Sequence, residues 1–182
     1  EFVGVCHGVM ARIAPEARVL DVSHGIERHD VRSGALVLRR ALPYFPAGVH
    51  LAVVDPEVGG ERRAVAVRAA EDDRILVGPD NGLLAPAWDA AGGATKAVHI
   101  DASDPPRSET FRAPDTLCPA AAKLAAGAAL DQLGTPIDPG SLAMLTLAEP
   151  EVEHGMIRCE VIDFNRFGNV RLNVRLEQFA AS

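Results

Sequence analysis

The run VHLAVVD, residues 49–55, constrains the fold of this chain more than any other stretch. It is almost entirely apolar, as in strands whose two faces are both covered by helices. Such strands are typical of α/β domains. The run ends at Asp55, and ligands of open α/β sheets bind beyond the carboxyl ends of strands. The sequence therefore predicts a covered sheet with a carboxylate at one strand end.

Composition narrows the class of protein. The 182 residues are 48% hydrophobic, enough for the core of one medium domain or of one domain with a small appendage. The net charge is −7 and lysines and arginines form no dense run, so we expect no nucleic-acid partner. No apolar stretch reaches the roughly 18 residues of a membrane span, so we expect no membrane partner. Three scattered cysteines and the lack of a visible signal sequence indicate a cytoplasmic protein.

The order of predicted elements favours an α/β fold with a mostly parallel sheet. Apolar residues at helical spacing predict helices over 2–13 and 29–42, the second capped by Asp30. A further helix is predicted over 119–127, with a helical turn or two after Gly82. Short β-branched runs predict strands at 17–22, 49–55, 63–67, 74–78 and 96–101.

The last third of the chain has a different pattern. Residues 134–155 are rich in Pro, Gly and acids and are predicted to be a linker. The stretches MIRCEVIDF and NVRLNV then alternate like antiparallel strands around a glycine-containing turn. We therefore expect an N-terminal α/β domain over 1–145 and the beginning of a C-terminal antiparallel β domain over 156–182.

Asp55 and Arg62 are the leading candidates for chemistry. Between them, Pro56, Gly59 and Gly60 allow a sharp turn, across which Arg62 could fold back onto Asp55. An arginine beside a carboxylate fixes its orientation, and the pair could hold a water molecule or a ligand hydroxyl. The alternative interpretation is an ion pair that only stabilises the loop.

Other motifs are less specific. GPDNG, residues 78–82, predicts a tight turn that supports the sheet. In RFGNVRLNV, Asn169 and Asn173 could pair with a purine edge or simply form an Asx-type turn. The six histidines lack metal-ligand spacing, so we expect no metal site, and no glycine-rich nucleotide-binding motif is present.

Taken together, the motifs resemble one family, the S-adenosylmethionine hydroxide adenosyltransferases, relatives of the nucleophilic halogenases fluorinase and chlorinase. The matching stretches follow the family's order along nearly the whole chain: FVGVCHGVMARIAP, VLDVSHGIERHDVRSGA, YFPAGVHLAVVDPEVGGERRAVAV, GPDNGLL, TFRAPDTLCPAAAKLAAG and RFGNVRLNV. The joint match of VVDP-x-VG-xx-RR, PDNGLL and FGN-x-x-x-N is specific, although each motif alone is weak.

The resemblance implies an α/β domain followed by a C-terminal β-barrel, assembled as a homotrimer with substrate between neighbouring subunits. It implies hydrolysis of S-adenosyl-L-methionine to adenosine and L-methionine, with no cofactor. It also leads us to expect the family's first strand just before Glu1 and most of the barrel after Ser182.

The resemblance assigns roles to nine positions. Asp55 and Arg62 match the residues that orient the attacking water, and Arg112 stands where the third catalytic residue, a histidine, is expected. The positions matching substrate-binding residues are His29, Phe111, Ala113, Asn165, Phe167 and Asn169.

Two departures keep other functions open. Arg112 cannot act as a base near neutral pH, and Asn165 replaces an aspartate of the family's DRFGN motif. A halogenase would transfer halide instead of water, but the family's halogenases lack an aspartate at the position of Asp55. A homologue with impaired catalysis would bind nucleoside or S-adenosyl-L-methionine without turnover.

Overall fold

A computed structural model describes residues 1–56, 62–101, 113–146, 148–164, 167–174 and 178–179. Its contacts divide the chain into two compact units, Glu1–Leu145 and Thr146–Ser182. The predicted site residues Phe111, Arg112 and Asn165 lie outside the described residues.

Among the described residues of the first unit there are four α-helices, and the sequence signals place two of them well. Helix α2 begins after Asp30, whose carboxylate accepts a hydrogen bond from the Ser33 amide, as expected of an N-cap. Helix α4 carries a proline in its first turn, where no amide proton is needed. The four helices are α1 (Phe2–Ile13), α2 (Val31–Ala41), α3 (Ala85–Ala90) and α4 (Cys118–Ala125). Shorter helical turns of the 3₁₀ or π type cover Leu42–Tyr44, Ala113–Leu117, Leu130–Gln132 and Pro139–Ser141.

The first unit is built on a five-stranded sheet in the order β1-β3-β2-β4-β5. Strand β1 pairs with β3 in parallel, with Val49 opposite Ile75. The other three pairs, β3 with β2, β2 with β4 and β4 with β5, are antiparallel. The strands are β1 (Val49–Leu51), β2 (Ala64–Ala69), β3 (Ile75–Pro79), β4 (Ala94–Ile100) and β5 (Gly134–Ile137).

This sheet confirms the α/β class. The prediction of a mostly parallel sheet is wrong, because the observed strand pairing is mostly antiparallel. The connection from β2 to β3 is only residues 70–74, with Asp72 and Asp73 at positive φ of 59° and 51°. Parallel neighbours need a crossover of a dozen or more residues. A connection as short as this one can therefore join only antiparallel strands.

Both faces of the sheet are covered, as the apolar strands predict. Strand β2 alternates between the two sides, since Val65 and Val67 belong to one core cluster and Ala64 and Ala66 to the other. The first cluster includes residues of α2 and α3, and the second includes residues of α4. Helix α1 packs against α4.

Two further predictions for the first unit are wrong. Residues 17–22 form no strand, because no described strand pairs with them, and Val19, Leu20 and Val22 remain exposed. The predicted linker over 134–155 instead begins with β5, which is hydrogen-bonded to β4. Strand pairing is a tertiary event, and neither segment's composition reveals whether a partner lies beside it.

In the second unit, the residues that the structure describes form two antiparallel strand pairs. Strand β6 (Glu151–Glu153) pairs with β7 (Met156–Arg158), and β8 (Val161–Phe164) pairs with β9 (Val170–Leu172). The predicted antiparallel C-terminal strands are therefore present. Among the helices that the structure describes in either unit, none is long and apolar enough to cross a bilayer.

Candidate functional site

Asp55 and Arg62 lie together at the end of the segment that continues β1. The Nε atom of Arg62 is 3.2 Å from Oδ1 of Asp55, and the Asp55 side chain is only 8% exposed. Burial strengthens such a pair because little water screens it. Each carboxylate oxygen has more than one acceptor site, so a carboxylate oriented in this way can also accept a hydrogen bond from a water or hydroxyl.

The turn after β3, residues 80–84, supports this pair through two residues that were not among the predicted site residues. The Asn81 side chain donates to the carbonyl of Val54, and the Asp80 side chain accepts from the guanidinium of Arg63. These contacts join the turn to the residue before Asp55 and to the residue after Arg62. The position of the GPDNG turn directly after a predicted strand was a signal for this placement. Parallel strands β1 and β3 end at the same edge of the sheet, so the turn after β3 lies beside the end of the segment that continues β1.

A cleft of about 840 Å³ opens beside Asp55. It runs between α1, residues 17–29, α2 and the segment 49–55, and its walls are largely apolar. His29 lines the cleft at the turn before α2, with an unusual positive φ of 68°. The first unit thus places Asp55 and His29 on the walls of one cleft.

A carboxylate bridge lies on another wall of this cleft. Oδ1 of Asp21 is 2.9 Å from Nε2 of His7 and 3.1 Å from Nε2 of His24. Hydrogen bonds from His24 and His7 hold the pKa of Asp21 below its usual value. The bridge ties residues 21–24 to helix α1.

The remaining predicted positions lie in different surroundings. Ala113 opens the π-helical turn, and its side chain is buried in the core cluster beside α4. Phe167 and Asn169 are exposed residues of the second unit, on either side of Gly168 at φ 82°. Asn173 has a structural role in that unit, since its side chain donates to the Ala148 carbonyl and accepts from the Glu160 amide.

Metal-binding potential can be judged for the described part of the chain. There, no group of three or more His, Cys, Asp or Glu side chains is arranged to hold an ion.

The family is decided by a sequence match over the first unit. Residues 1–134 match the model of the SAM hydroxide adenosyltransferase N-terminal domain. The chain belongs to the SAM hydroxide adenosyltransferase family. The resemblance inferred from the motifs is thereby confirmed.

Individual members of the SAM hydroxide adenosyltransferase family are similar along most of the chain. The (R)-S-adenosyl-L-methionine hydrolase of Salinispora arenicola is 48% identical over 176 residues, which cover 94% of this chain and 66% of the relative. The hydrolase of the same name from Thermus thermophilus is 40% identical and covers 92% of the chain and 67% of the relative. A fluorinase from Actinopolyspora mzabensis is 28% identical over 79% of the chain and 56% of its own length.

A solved structure has the same fold. A conserved protein from Thermotoga maritima superposes with a TM-score of 0.90 at 33% identity, over 99% of this chain and 69% of that protein. The chain spans about two thirds of the length of the curated hydrolases it matches, as the 66% coverage of the Salinispora arenicola enzyme shows.

Proposed function

We propose that this protein hydrolyses S-adenosyl-L-methionine to adenosine and L-methionine. The observation that carries the proposal is the buried Asp55 carboxylate, which pairs with Arg62 at the end of the segment 49–55 and lines a cleft of substrate size. Family membership supports it, as do two relatives named (R)-S-adenosyl-L-methionine hydrolase at 40–48% identity.

The proposed reaction is a displacement at C5′ of the substrate. The water oxygen forms a bond to C5′ while the bond from C5′ to the sulfonium sulfur breaks, and both bonding electrons stay on sulfur. Methionine therefore departs as a neutral thioether, and the attacking oxygen releases one proton to solvent to leave the neutral 5′-hydroxyl. Because this leaving group is good, holding the water in line and excluding bulk solvent supply most of the catalysis.

Asp55 and Arg62 have separate roles in this proposal. The Asp55 carboxylate accepts a hydrogen bond from the attacking water and so fixes the direction of its lone pair. Arg62 holds the carboxylate in place through the contact to Oδ1. Arg112 takes the position of the third catalytic residue and would donate a hydrogen bond to the water.

Substrate contacts are proposed at positions that match the family. Within the first unit these are His29, on the cleft wall, together with Phe111 and Ala113. In the second unit, Asn165, Phe167 and Asn169 would bind the adenine. We also propose a homotrimer that acts in the cytoplasm without a cofactor, and light scattering would measure its mass.

Isotope labelling tests the reaction sharply. The protein is incubated separately with the (R) and (S) sulfonium epimers of S-adenosyl-L-methionine in water enriched in ¹⁸O. The products are separated by chromatography, and their masses are measured by mass spectrometry. We expect adenosine with ¹⁸O at its 5′-hydroxyl, together with unlabelled methionine, and faster turnover of the (R) epimer. Adenosine formation no faster than the uncatalysed rate would overturn the proposal.

Two alternatives rest on specific observations. The fluorinase relative favours testing halide as nucleophile, and a halogenase would form 5′-halo-adenosine when fluoride or chloride is supplied. Arg112 favours testing a binding protein with impaired catalysis, which would bind substrate in calorimetry without turnover. In that case Arg112→His would bring no gain in rate.

A further inference from the structure

The turn after β3 contacts the chain immediately outside both members of the Asp55–Arg62 pair. Val54 directly precedes Asp55, and Arg63 directly follows Arg62. Two consecutive residues of the turn bind these flanking residues: Asn81 binds Val54, and Asp80 binds Arg63. By itself, the GPDNG motif predicts only a tight turn that supports the sheet.

Asn81 fixes the residue before Asp55. Its Nδ2 donates to the Val54 carbonyl at 2.8 Å, and its Oδ1 accepts from the Leu83 amide at 3.1 Å. The second bond locks the Asn81 side chain in one orientation, so the first bond holds Val54 at a set distance from the turn. An aspartate in this position could still accept from the Leu83 amide but could not donate to the Val54 carbonyl, because only the amide side chain both donates and accepts.

The backbone also lies close to the turn on this side. The Ala52 amide donates to the Val77 carbonyl at 3.0 Å, which extends the contact between the β1 segment and β3. At Gly78, a Cβ would lie 2.6 Å from the Ala52 carbonyl oxygen. The segment that leads to Asp55 is therefore packed directly on the end of β3.

Asp80 fixes the residue after Arg62. Its Oδ2 accepts from Nε and Nη2 of Arg63 at 2.9 and 2.5 Å, and its Oδ1 accepts from the Ala143 amide at 2.7 Å. The Asp80 amide also donates to the Arg63 carbonyl at 2.9 Å. Since the Asp80 side chain is only 6% exposed, these charge-assisted bonds are shielded from water.

We infer that Asp80 and Asn81 are positioning residues that set the geometry of the Asp55–Arg62 pair. The inference rests on the proposed function for its catalytic consequence. The two members of the pair are seven positions apart in sequence, and Gly59 and Gly60 lie between them in the sequence. Fixing Val54 and Arg63 on one rigid turn is a direct way to keep the two side chains in register.

Three matched variants test the inference. Asn81→Asp keeps the size and the acceptor to Leu83 but removes the donor to Val54. Asp80→Asn keeps the shape but removes the charge opposite Arg63. Asp131→Asn is the control, because it removes the charge from an exposed ion pair with Lys96 that does not involve the turn.

Steady-state kinetics are the first measurement. We expect each turn variant to lower kcat by about 10- to 100-fold while KM stays within threefold, because a small misplacement of reacting groups costs this much. Asp131→Asn should retain the parent kcat. Turn variants that melt earlier but keep the parent kcat would show that the turn only supports the sheet and would overturn the inference.

Nuclear magnetic resonance gives a second measurement that needs no turnover. The Nε–H signal of Arg62 reports its contact with Asp55, and we expect it to shift in Asn81→Asp and Asp80→Asn but not in Asp131→Asn. An unchanged signal in both turn variants would overturn the inference. If the parent protein forms no adenosine, the proposed function fails, while this signal still decides whether the turn positions the pair.

A variant that does not fold at the assay temperature is replaced by Arg63→Lys. That change keeps a positive charge opposite Asp80 but removes the two-point contact to its carboxylate. The same fall in kcat and the same shift of the Arg62 signal are expected, and their absence counts against the inference.

Discussion

Nε of Arg62 lies 3.2 Å from Oδ1 of Asp55, although the two residues are seven positions apart in sequence. The carboxylate is almost fully buried, so its partner arginine offsets much of the cost of removing it from water. Both features suit a carboxylate that orients one water molecule.

The first prediction concerns this pair. Asp55→Asn keeps the shape of the side chain but removes its charge, and we expect adenosine formation to fall by about 100-fold or more. Arg62→Lys should have a smaller effect, since the charge remains but the planar guanidinium is lost. Initial rates of adenosine release measure both changes. Rates of Asp55→Asn within threefold of the parent would mean that Asp55 does not orient the water.

The second prediction concerns pH and His50. Burial, with a contribution from the charge of Arg74, lowers the pKa of His50 from 6.5 to about 4. Neutral His50 can accept the hydrogen bond from Nη1 of Arg74, which lies 3.3 Å from its Nε2. The unfolded chain binds this proton below pH 6.5 whereas the folded chain does not, so stability from this residue is present above pH 6.5 and is lost as pH falls toward 4.

Urea unfolding at pH 7.5, 6 and 5 measures this loss. We expect the unfolding free energy of the parent to fall more steeply with acidity than that of His50→Gln, which keeps an acceptor for Arg74 but does not titrate. Parallel curves for the two proteins would contradict the assignment to His50.

The third prediction concerns the close approach at Gly78. A Cβ there would lie 2.6 Å from the carbonyl oxygen of Ala52, so Gly78→Ala must push the β1 segment away from β3. We expect a loss of about 1–3 kcal/mol in unfolding free energy, the usual cost of overpacking. Because the displaced segment carries Asp55, the rate of adenosine formation should fall as well.

Gly8→Ala is the matched control for this change. Gly8 lies inside helix α1, and a Cβ there meets nothing within 4 Å. This substitution should raise the unfolding free energy by about 0.5–1 kcal/mol, because alanine loses less backbone freedom than glycine on folding. If Gly78→Ala stabilised the protein to the same extent, the close approach would not exist in solution.

The fourth prediction concerns the three free cysteines. Burial raises the pKa of the Cys118 thiol well above its ordinary value, and a hydrogen bond with Cys6 raises it further. Only thiolate reacts with a disulfide reagent, so Cys118 should stay unmodified at pH 8 until the protein unfolds. Cys159 is only partly buried and should react first. In a colorimetric thiol titration, we expect the parent protein to show a fast phase from Cys159 and the Cys159→Ser variant to lack it. A fast phase that persists in the variant would show that another thiol reacts first.

Much of the fold could be predicted from short-range patterns. Helices α1 and α2 follow from apolar residues at helical spacing, and α2 begins at its expected cap, Asp30. The apolar run that ends at Asp55 marked the sheet edge, and the family motifs identified the family. These signals are local, because helix periodicity and capping depend on residues within a few positions of one another.

The direction of strand pairing needed a different signal. The apolar character of the strands indicated a mostly parallel sheet. The short connection from β2 to β3 excludes parallel pairing of those two strands, and they are antiparallel. Residues 17–22 have the composition of a strand and pair with no described strand, while β5 lies in a stretch that reads as a linker.

The sequence by itself determined the helices, the covered sheet, the family and the candidate pair Asp55 and Arg62. Only the tertiary structure decided what holds that pair. The bonds from Asn81 to Val54 and from Arg63 to Asp80 span 27 and 17 positions. No helical or alternating pattern encodes either contact. The first arises where the parallel strands β1 and β3 end at one edge of the sheet, and the second where β2 begins opposite the end of its antiparallel partner β3.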